Sequence, residues 1–365
     1  MANTSYGTND PLAVKLWSKR LTVEVLKNTW ATRFMGPTAD SVIQIKDETK
    51  KSAGDKITYG LRMQLSGGGV IGDGTLEGQE EALTTYSDAV IIDQLRHGVR
   101  SAGRMSQQRV PFAVRDEALS GLRDWYSDRI DLGFFNQICG FTPTLAVNGD
   151  VIGGTDARYT GLQAVSAPDA NHIVRSDSTA VGDDSITTTA LFTLSMLDKA
   201  VERARTLTPA IRPVMVGGKP FWPTFLHPYQ VTDLRTNTSL GQWLDIQKAA
   251  MTGGEVDDNP IFDGSLGVYN GAILHSDVRV TPGVNQSSST TQVANVRRAV
   301  FCGAQAGVMA YGRDAGPNRF TWVEELFDYE NELGVAAGLI WGLKKAVFNS
   351  ADFATIVLST YAAPH

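Results

Sequence analysis

Residues 57–65 carry a strict alternation of side chains, and this feature constrains the fold more than any other. Every second position is apolar, which predicts a strand with one apolar face; the apolar residues are Ile57, Tyr59, Leu61, Met63 and Leu65. The glycine-rich stretch 66–74 then predicts a flexible tip, and residues 83–95 predict a return limb. Residues 57–65, at about 3.3 Å each, form an arm of roughly 30 Å. Because little sequence beside the arm could form a core, we expect it to need a partner surface. Its apolar residues and Gly67, Gly68 and Gly69 are candidates for contact with a neighbouring subunit.

Residues 112–138 give the strongest helix signal in the chain. Apolar residues recur at helical spacing while charged residues take the other faces; the core-facing set is Leu119, Leu122, Tyr126, Ile130, Phe134 and Ile138. Pro111 fits the start of this helix and Gly140 fits its end. At 1.5 Å per residue the helix is about 40 Å long, which predicts a structural spine.

The first 40 residues predict an N-terminal arm built on an amphipathic helix. Asp10 followed by Pro11 is typical of a helix start. Apolar residues at three-, four- and seven-residue steps predict one face, and they are Leu12, Leu16, Val23, Leu26, Trp30 and Phe34. Of these, we expect Leu12, Leu16, Trp30 and Phe34 to contact another subunit. The basic residues of this stretch favour a solvated face over nucleic-acid contact, because no larger basic patch supports them.

The rest of the chain mixes loops, short strands and one ordinary helix. Residues 141–188 are rich in Thr, Asp, Gly, Ala and Ser and predict a loop insertion, whereas 191–204 predict a second amphipathic helix. Short strands and turns dominate from about residue 209, and 320–361 mix long apolar strands with small residues. The fold class is therefore α+β, with one long helix and an unusual β-arm.

Composition excludes a collagen-like chain, a membrane bundle and a disulfide scaffold. Apolar residues make up 42% of the chain and can build a core, while a net charge of −6 argues against a general polyanion-binding surface. Cys139 and Cys302 stand far apart, which predicts buried, reduced thiols. The apolar run 333–343 is about half the ~20 residues that a membrane-spanning helix needs. The N-terminus has no signal-peptide pattern, so we expect folding in a cytoplasm and no membrane partner.

One glycine pattern matches a motif found in dinucleotide-binding enzymes. Gly67, Gly69 and Gly72, with Asp88 further along, satisfy the G-x-G-x-x-G fingerprint of a dinucleotide-binding enzyme. That fingerprint needs a helix directly after the glycines, and this sequence continues with more loop residues. Acidic pairs and five scattered histidines form no catalytic or metal-ligand spacing. We therefore expect no catalytic residue, no cofactor and no metal, and we expect His227, before a proline, to cap a helix or pack rather than catalyse.

Three local stretches carry a resemblance to a known family. Phe225–Gln230 leading to Asp233–Arg235, then Asn259–His275, and finally Arg298–Gly303 follow one another in the second half of the chain. Together with the order of the parts, they resemble the tailed-bacteriophage major capsid protein, with its HK-ninety-seven-type fold. The resemblance is especially to the branch of N-four-like podoviruses. It covers nearly the whole chain and is weakest over 141–188.

This resemblance implies a role for each segment. Residues 1–40 resemble the N-terminal arm, 41–105 the extended β-hairpin called the E-loop, and 106–208 the peripheral domain with its spine helix (112–138) and loop insertion (141–188). Residues 209–312 resemble the axial domain, and 313–365 the return strands of the peripheral domain. The implied function is that of a structural virion protein. Such subunits form hexamers and pentamers of an icosahedral capsid around double-stranded DNA, and the protein is not an enzyme.

The resemblance also implies partners. They are copies of the same chain, a portal, a decoration protein and a separate scaffolding protein, since no long charged helical stretch precedes residue 12. DNA would be enclosed without sequence-specific binding, in a virion assembled in the bacterial host cytoplasm. Some relatives join subunits through a lysine–asparagine bond; the candidates here are Lys50, Lys51, Lys56 and Asn349, although no motif specifies that chemistry. A tail or decoration protein and a dinucleotide-binding enzyme remain the alternatives.

Overall fold

The computed structural model describes residues 11–47, 54–62, 67–82, 85–109, 113–144, 152, 156–216, 218–237, 267–288, 291–312 and 319–365. Within these ranges the α-helices are Pro11–Asn28 (α1), Arg104–Gln108 (α2), Val114–Cys139 (α3), Leu194–Thr206 (α4) and Pro228–Thr236 (α5). Short 3-10 helices lie at Trp30–Phe34, Ala157–Tyr159 and Asp183–Ser185.

The strands of the described residues follow in chain order. They are Met35–Gly36 (β1), Ile43–Lys46 (β2), Lys56–Arg62 (β3), Thr85–Ile91 (β4), Asp93–Arg100 (β5), Ile173–Arg175 (β6), Val214–Val216 (β7), Lys219–Leu226 (β8), Gly267–Tyr269 (β9), Ala272–Ser276 (β10), Pro282–Val284 (β11), Gln292–Cys302 (β12), Gly307–Tyr311 (β13), Phe320–Phe327 (β14), Glu332–Lys345 (β15), Val347–Phe348 (β16), Ala351–Asp352 (β17) and Thr355–Tyr361 (β18). The α+β class predicted from the sequence is confirmed.

Two large sheets dominate the described part of the chain. One has the order β1-β2-β13-β15-β14, with β5 also paired to β15; the other has the order β6-β18-β12-β8-β10-β9, with β11 on β12 and β7 on β8. The hairpin β3–β4 forms a two-stranded sheet of its own. It therefore extends from the fold as a separate ribbon.

The long helix α3 packs against both large sheets. It contacts β15 and β5 of the first sheet and β12 of the second. Its core-facing residues are all buried: Leu119, Leu122, Tyr126, Ile130, Phe134 and Ile138. The Tyr126 hydroxyl donates to the carbonyl of Ala337 at 2.7 Å, which fixes the helix to β15. Gly140 ends the helix in the left-handed region at φ 69°, where glycine carries no Cβ penalty.

Helix α1 packs through a different face from the one that the sequence predicts. Leu21 and Val25 are buried, and Trp17 stacks on Trp322 with 5.8 Å between ring centroids. Leu16 and Val23 are exposed. The buried face is set by the tertiary contacts of the helix with α3 and β14, which the local sequence pattern does not contain.

The segment 141–188 is more than a loop insertion. Its strand β6 pairs in parallel with β18, from Val357↔Ile173 to Ser359↔Arg175. Strand β18 also pairs with β12, from Val296↔Tyr361 to Cys302↔Thr355. Strands from the segments 106–208, 209–312 and 313–365 therefore share one sheet, and strand pairing crosses the boundaries placed at 208 and 312. Such long-range pairing leaves no local pattern in a sequence.

Candidate inter-subunit surfaces

The base of the β3–β4 hairpin is packed on its own chain. The two strands pair from Lys56↔Ile91 to Arg62↔Thr85, and Ile57 and Tyr59 are buried while Lys56, Thr58 and Gly60 are exposed. The predicted alternation is therefore present. The expectation that this face lacks a local core is wrong for Ile57 and Tyr59, because β4 also contacts β13, β15 and β16.

A polar cluster fixes this base. The Tyr59 hydroxyl donates to Oδ2 of Asp88 at 2.9 Å, and the Lys344 ammonium donates to Oδ1 of the same carboxylate. The backbone N–H of Val347 also donates to Asp88 Oδ2, at 3.2 Å. Burial raises the pKa of Asp88, but the hydrogen bonds from Lys344, Ala89 and Tyr59 outweigh it and hold that pKa below its usual range. Burial and the Asp88 charge raise the pKa of Tyr59, so the phenol keeps its proton and donates.

A close backbone approach completes the attachment. A Cβ atom added to Gly342 of β15 would lie 2.1 Å from the carbonyl oxygen of Ile91, so only glycine fits where β15 passes the end of β4. The side-chain amide of Gln163 donates to that same carbonyl. The hairpin thus leaves the fold from a rigid base.

The tip of the hairpin, residues 67–82, is largely exposed, unlike the packed base. Ile71 and Leu76 are exposed, and the Gly67 N–H donates to Glu81 within the same segment at 2.6 Å. Gly69 and Gly72 have positive φ values of 64° and 65°. The described residues after Gly72 form turns and coil rather than a helix, so this region lacks the geometry that a dinucleotide fingerprint requires.

The other predicted contact residues of the hairpin lie in several environments. Leu61 is in β3, whereas Met63 and Leu65 lie outside the described residues. Gly67, Gly68 and Gly69 are exposed at the tip.

The predicted contact residues of the N-terminal arm include both an exposed residue and residues that pack within the subunit. Leu12 belongs to α1, and Leu16 is exposed on it. Trp30 and Phe34 pack inside the subunit against Phe225 of β8, with ring centroids 5.2 and 5.1 Å away. These two aromatic residues therefore anchor the arm to its own chain.

An acidic residue of α3 holds the end of the arm. The backbone N–H groups of Trp30 and Ala31 donate to the Asp131 carboxylate at 3.1 and 2.9 Å, and Arg279 approaches it to 3.7 Å. Burial raises the pKa of Asp131 to about 6, against the opposing effects of the Ala31 N–H and Arg279. The sequence around Asp131 has the ordinary pattern of an amphipathic helix with several charged residues. Nothing in that pattern indicates that Asp131, rather than its charged neighbours, accepts hydrogen bonds from the N-terminal arm.

Buried ion pairs are the other feature that the sequence did not predict. The Lys345 ammonium is fully buried 2.7 Å from Asp352, and it also donates to the carbonyl of Ser166 at 3.0 Å. Burial raises the pKa of Asp352, and Lys345 opposes that shift. The position of Lys345 at the end of the apolar strand 332–345 is the one sequence feature that could have indicated a buried ion pair.

The described residues offer little for catalysis. They contain no group of three or more His, Cys, Asp or Glu side chains that could hold a metal ion. Cys139 and Cys302 are buried, and burial raises the pKa of both thiols, which disfavours the reactive thiolate. His227 caps α5: its Nδ1 accepts from the N–H of Tyr229 at 3.2 Å, and burial lowers its pKa to about 4, so the ring stays neutral. No helix in the described ranges is both long enough and apolar enough to span a membrane.

Comparisons with known proteins all identify phage capsid proteins as similar to this chain. The sequence model of a family described as phage capsid protein matches residues 3–364. A major capsid protein of Pseudomonas phage KPP25 is 29% identical over 371 residues, which cover 96% of this chain and 94% of the relative. The capsid of Ralstonia phage GP4 superposes with a TM-score of 0.77 at 35% identity, covering 100% of this chain and 99% of that one. The capsid subunit of cyanophage Pam1 superposes with a TM-score of 0.71 at 20% identity, over 100% and 95% of the two chains, and therefore shares the fold.

Proposed function

Because the chain belongs to the phage capsid protein family and has the structural role of a major capsid protein, we propose that its copies assemble into hexamers and pentamers of an icosahedral shell around double-stranded DNA. The observation that carries this proposal is the family match over residues 3–364, which spans almost the whole chain. The protein is a component of the virion, and we place its assembly in the bacterial host cytoplasm.

Each segment has a proposed part in the shell. Residues 41–105 act as the E-loop, 1–40 as the N-terminal arm, 106–208 with 313–365 as the peripheral domain, and 209–312 as the axial domain. Contact between subunits falls to exposed positions such as Leu16 and residues 67–82, since Trp30, Ile57 and Tyr59 pack within their own chain. A ribbon with a rigid base and an exposed apolar tip is suited to reaching a neighbour.

The proposed partners beyond the chain itself are a portal, a scaffolding protein and a decoration protein. The enclosed DNA is held without sequence-specific contacts, because a net charge of −6 disfavours tight binding of a polyanion. We propose no enzymatic activity, in keeping with relatives that are structural capsid proteins.

Expression of the full chain, with electron microscopy and sedimentation of the product, tests the proposal. Rings of five or six subunits, sheets or closed shells are the expected products. A preparation that contains only monomers or dimers, at high concentration and with a crowding agent, would contradict it.

A further inference from the structure

The hairpin tip and the segment that follows the hairpin carry opposite charges. Residues 67–82 contain four acidic residues and no Lys or Arg: Asp73, Glu77, Glu80 and Glu81. Residues 94–109 contain four arginines and no Asp or Glu: Arg96, Arg100, Arg104 and Arg109. All four arginines are exposed. Two segments of equal length thus carry opposite charges of equal size.

Exposed apolar side chains accompany both charge sets. Near the acidic residues of the tip, Ile71 is 93% exposed and Leu76 is 58% exposed. On the basic segment, Val99 is 39% exposed and Met105 is 65% exposed. Exposed apolar groups within a charged rim are typical of protein interaction sites.

A groove lies beside the basic segment. It has a volume of about 450 Å³ and runs between the end of β5, α2 and the first turns of α3. Its lining includes the apolar residues Val99, Ala102, Val114 and Ala118, together with one basic residue, Arg100, and one acidic residue, Glu117. Binding clefts commonly have volumes of about 300–1,000 Å³, so the groove has room for side chains such as those of Ile71 and Leu76.

The register of β15 separates the two surfaces within one subunit. Strand β5 runs along β15 from Trp341↔Asp93 to Gly334↔Arg100. In the opposite direction, Lys344 reaches Asp88 of β4. From Asp88 to Arg100 the chain therefore runs along β15, with the hairpin base at one end and Arg100 at the other.

We propose that the tip, residues 67–82, docks on the basic segment 94–109 and its groove in a second copy of this chain. Ile71 and Leu76 enter the groove, and the tip carboxylates face the arginines around it. A contact between two different surfaces of identical subunits is head-to-tail, and such contacts close into rings when the rotation between successive subunits closes. The inference rests on the proposed capsid function and deepens it by naming the receiving surface and the charge that orients the arm.

Arg104 and Arg109 are the arginines to change, because Arg100 already pairs with Glu332 at 2.5 Å and lies over the ring of Phe327. The tip variant is Asp73→Lys with Glu77→Lys, and the receiving variant is Arg104→Glu with Arg109→Glu. We expect each to raise the critical concentration for assembly about tenfold at low salt, with a smaller effect at high salt. A chain with all four changes regains assembly, because the charges again oppose each other.

A matched control changes two exposed acidic residues elsewhere, Asp40→Lys with Glu202→Lys, and we expect it to assemble like the wild type. Failure of the four-change chain to regain assembly would overturn the proposal. So would a receiving variant that assembles normally and loses only its affinity for DNA, since the arginines would then serve phosphates.

Cross-linking gives a second test that does not depend on charge. A Leu76→Cys chain is co-assembled with a Met105→Cys chain and oxidised; the native cysteines are buried, so the background is low. We expect a disulfide-linked heterodimer, and little of it when Val181→Cys replaces the Met105 variant. Wild-type shells with equal cross-linking in both mixtures would overturn this inference alone. A wild-type chain that never assembles would instead overturn the proposed function.

Discussion

The Nε of Arg298 donates to Oδ2 of Asp183 across 2.7 Å, with both side chains buried. The pair joins β12, in the middle of the larger sheet, to a 3-10 helix in the segment 141–188. Asp183 also accepts from the N–H of Val284 at 3.1 Å and pairs with Arg175 at 3.3 Å. One carboxylate thus ties this segment to two strands of the sheet.

Replacement of Arg298 by Met should destabilise the subunit strongly. Removal of one partner from a buried ion pair costs about 3–5 kcal/mol, and the more distant Arg175 offsets only part of the attraction that Asp183 loses. Urea unfolding of the unassembled subunit measures this change. Arg158→Met, which breaks an exposed pair with Asp156, is the control and should cost less than about 1 kcal/mol. Equal losses in the two variants would contradict the structural role of Asp183.

Replacement of Asp88 by Asn should loosen the hairpin base without unfolding the rest of the subunit. The variant loses the ionised acceptor that Tyr59 and Lys344 share, and hydrogen bonds to charged groups are worth about 1.5–3 kcal/mol each. Hydrogen exchange should therefore quicken in β3 and β4 and stay unchanged in α3. Asp93→Asn, an exposed change at the start of β5, is the matched control. Unchanged hydrogen exchange in β3 and β4 would contradict this prediction, because it would show that apolar contacts alone hold the hairpin base in place.

Local periodicity accounts for what the sequence could predict. The alternation over 57–65 and the helical spacing over 112–138 are one-dimensional patterns, and the structure contains the corresponding hairpin and helix. Long-range contacts account for what it could not predict. The buried face of α1 depends on α3 and β14, and strand β6 depends on a partner almost two hundred residues later.

The candidate surfaces likewise divide into features that a local sequence pattern predicts and features that depend on long-range contacts. Exposure of residues 67–82 could be inferred from their glycines, whereas the burial of Ile57 and Tyr59 depends on contacts of β4 with β13, β15 and β16. The role of Asp131 as acceptor for the arm could not be inferred either, because the groups that approach it come from Trp30, Ala31 and Arg279.

Gly342→Ala should destabilise the subunit by detaching the hairpin base from β15. The added Cβ would lie 2.1 Å from the Ile91 carbonyl oxygen, a backbone atom that cannot turn away, and overpacking typically costs about 1–3 kcal/mol. Thermal unfolding should show a lower Tm. Gly60→Ala, in β3 with nothing within 4 Å of the new methyl group, should leave the Tm almost unchanged. A similar Tm for both variants would mean that the backbone adjusts freely at this crossing.

The Asp131 carboxylate should give the subunit a pH-dependent term in its stability. Its pKa is about 6 in the folded chain against an ordinary value of 3.8, mainly because of burial. The groups that face it are Arg279, the carboxylates of Asp128 and Asp277 around that arginine, and the N–H groups of Trp30 and Ala31.

Between pH 3.8 and 6 the folded state binds a proton on Asp131 that the unfolded state does not bind. Proton uptake therefore stabilises the fold as the pH falls through this window, and this contribution is lost as the pH rises through 6. Asp131→Asn removes it. The difference in unfolding free energy, wild type minus variant, should fall by up to about 1.4 kcal/mol per pH unit from pH 4 to 6 and then level off. Urea unfolding across that range measures the difference. A difference that is flat for Asp131→Asn, or that rises with pH, would mean that Asp131 stays ionised where the arm meets the spine helix.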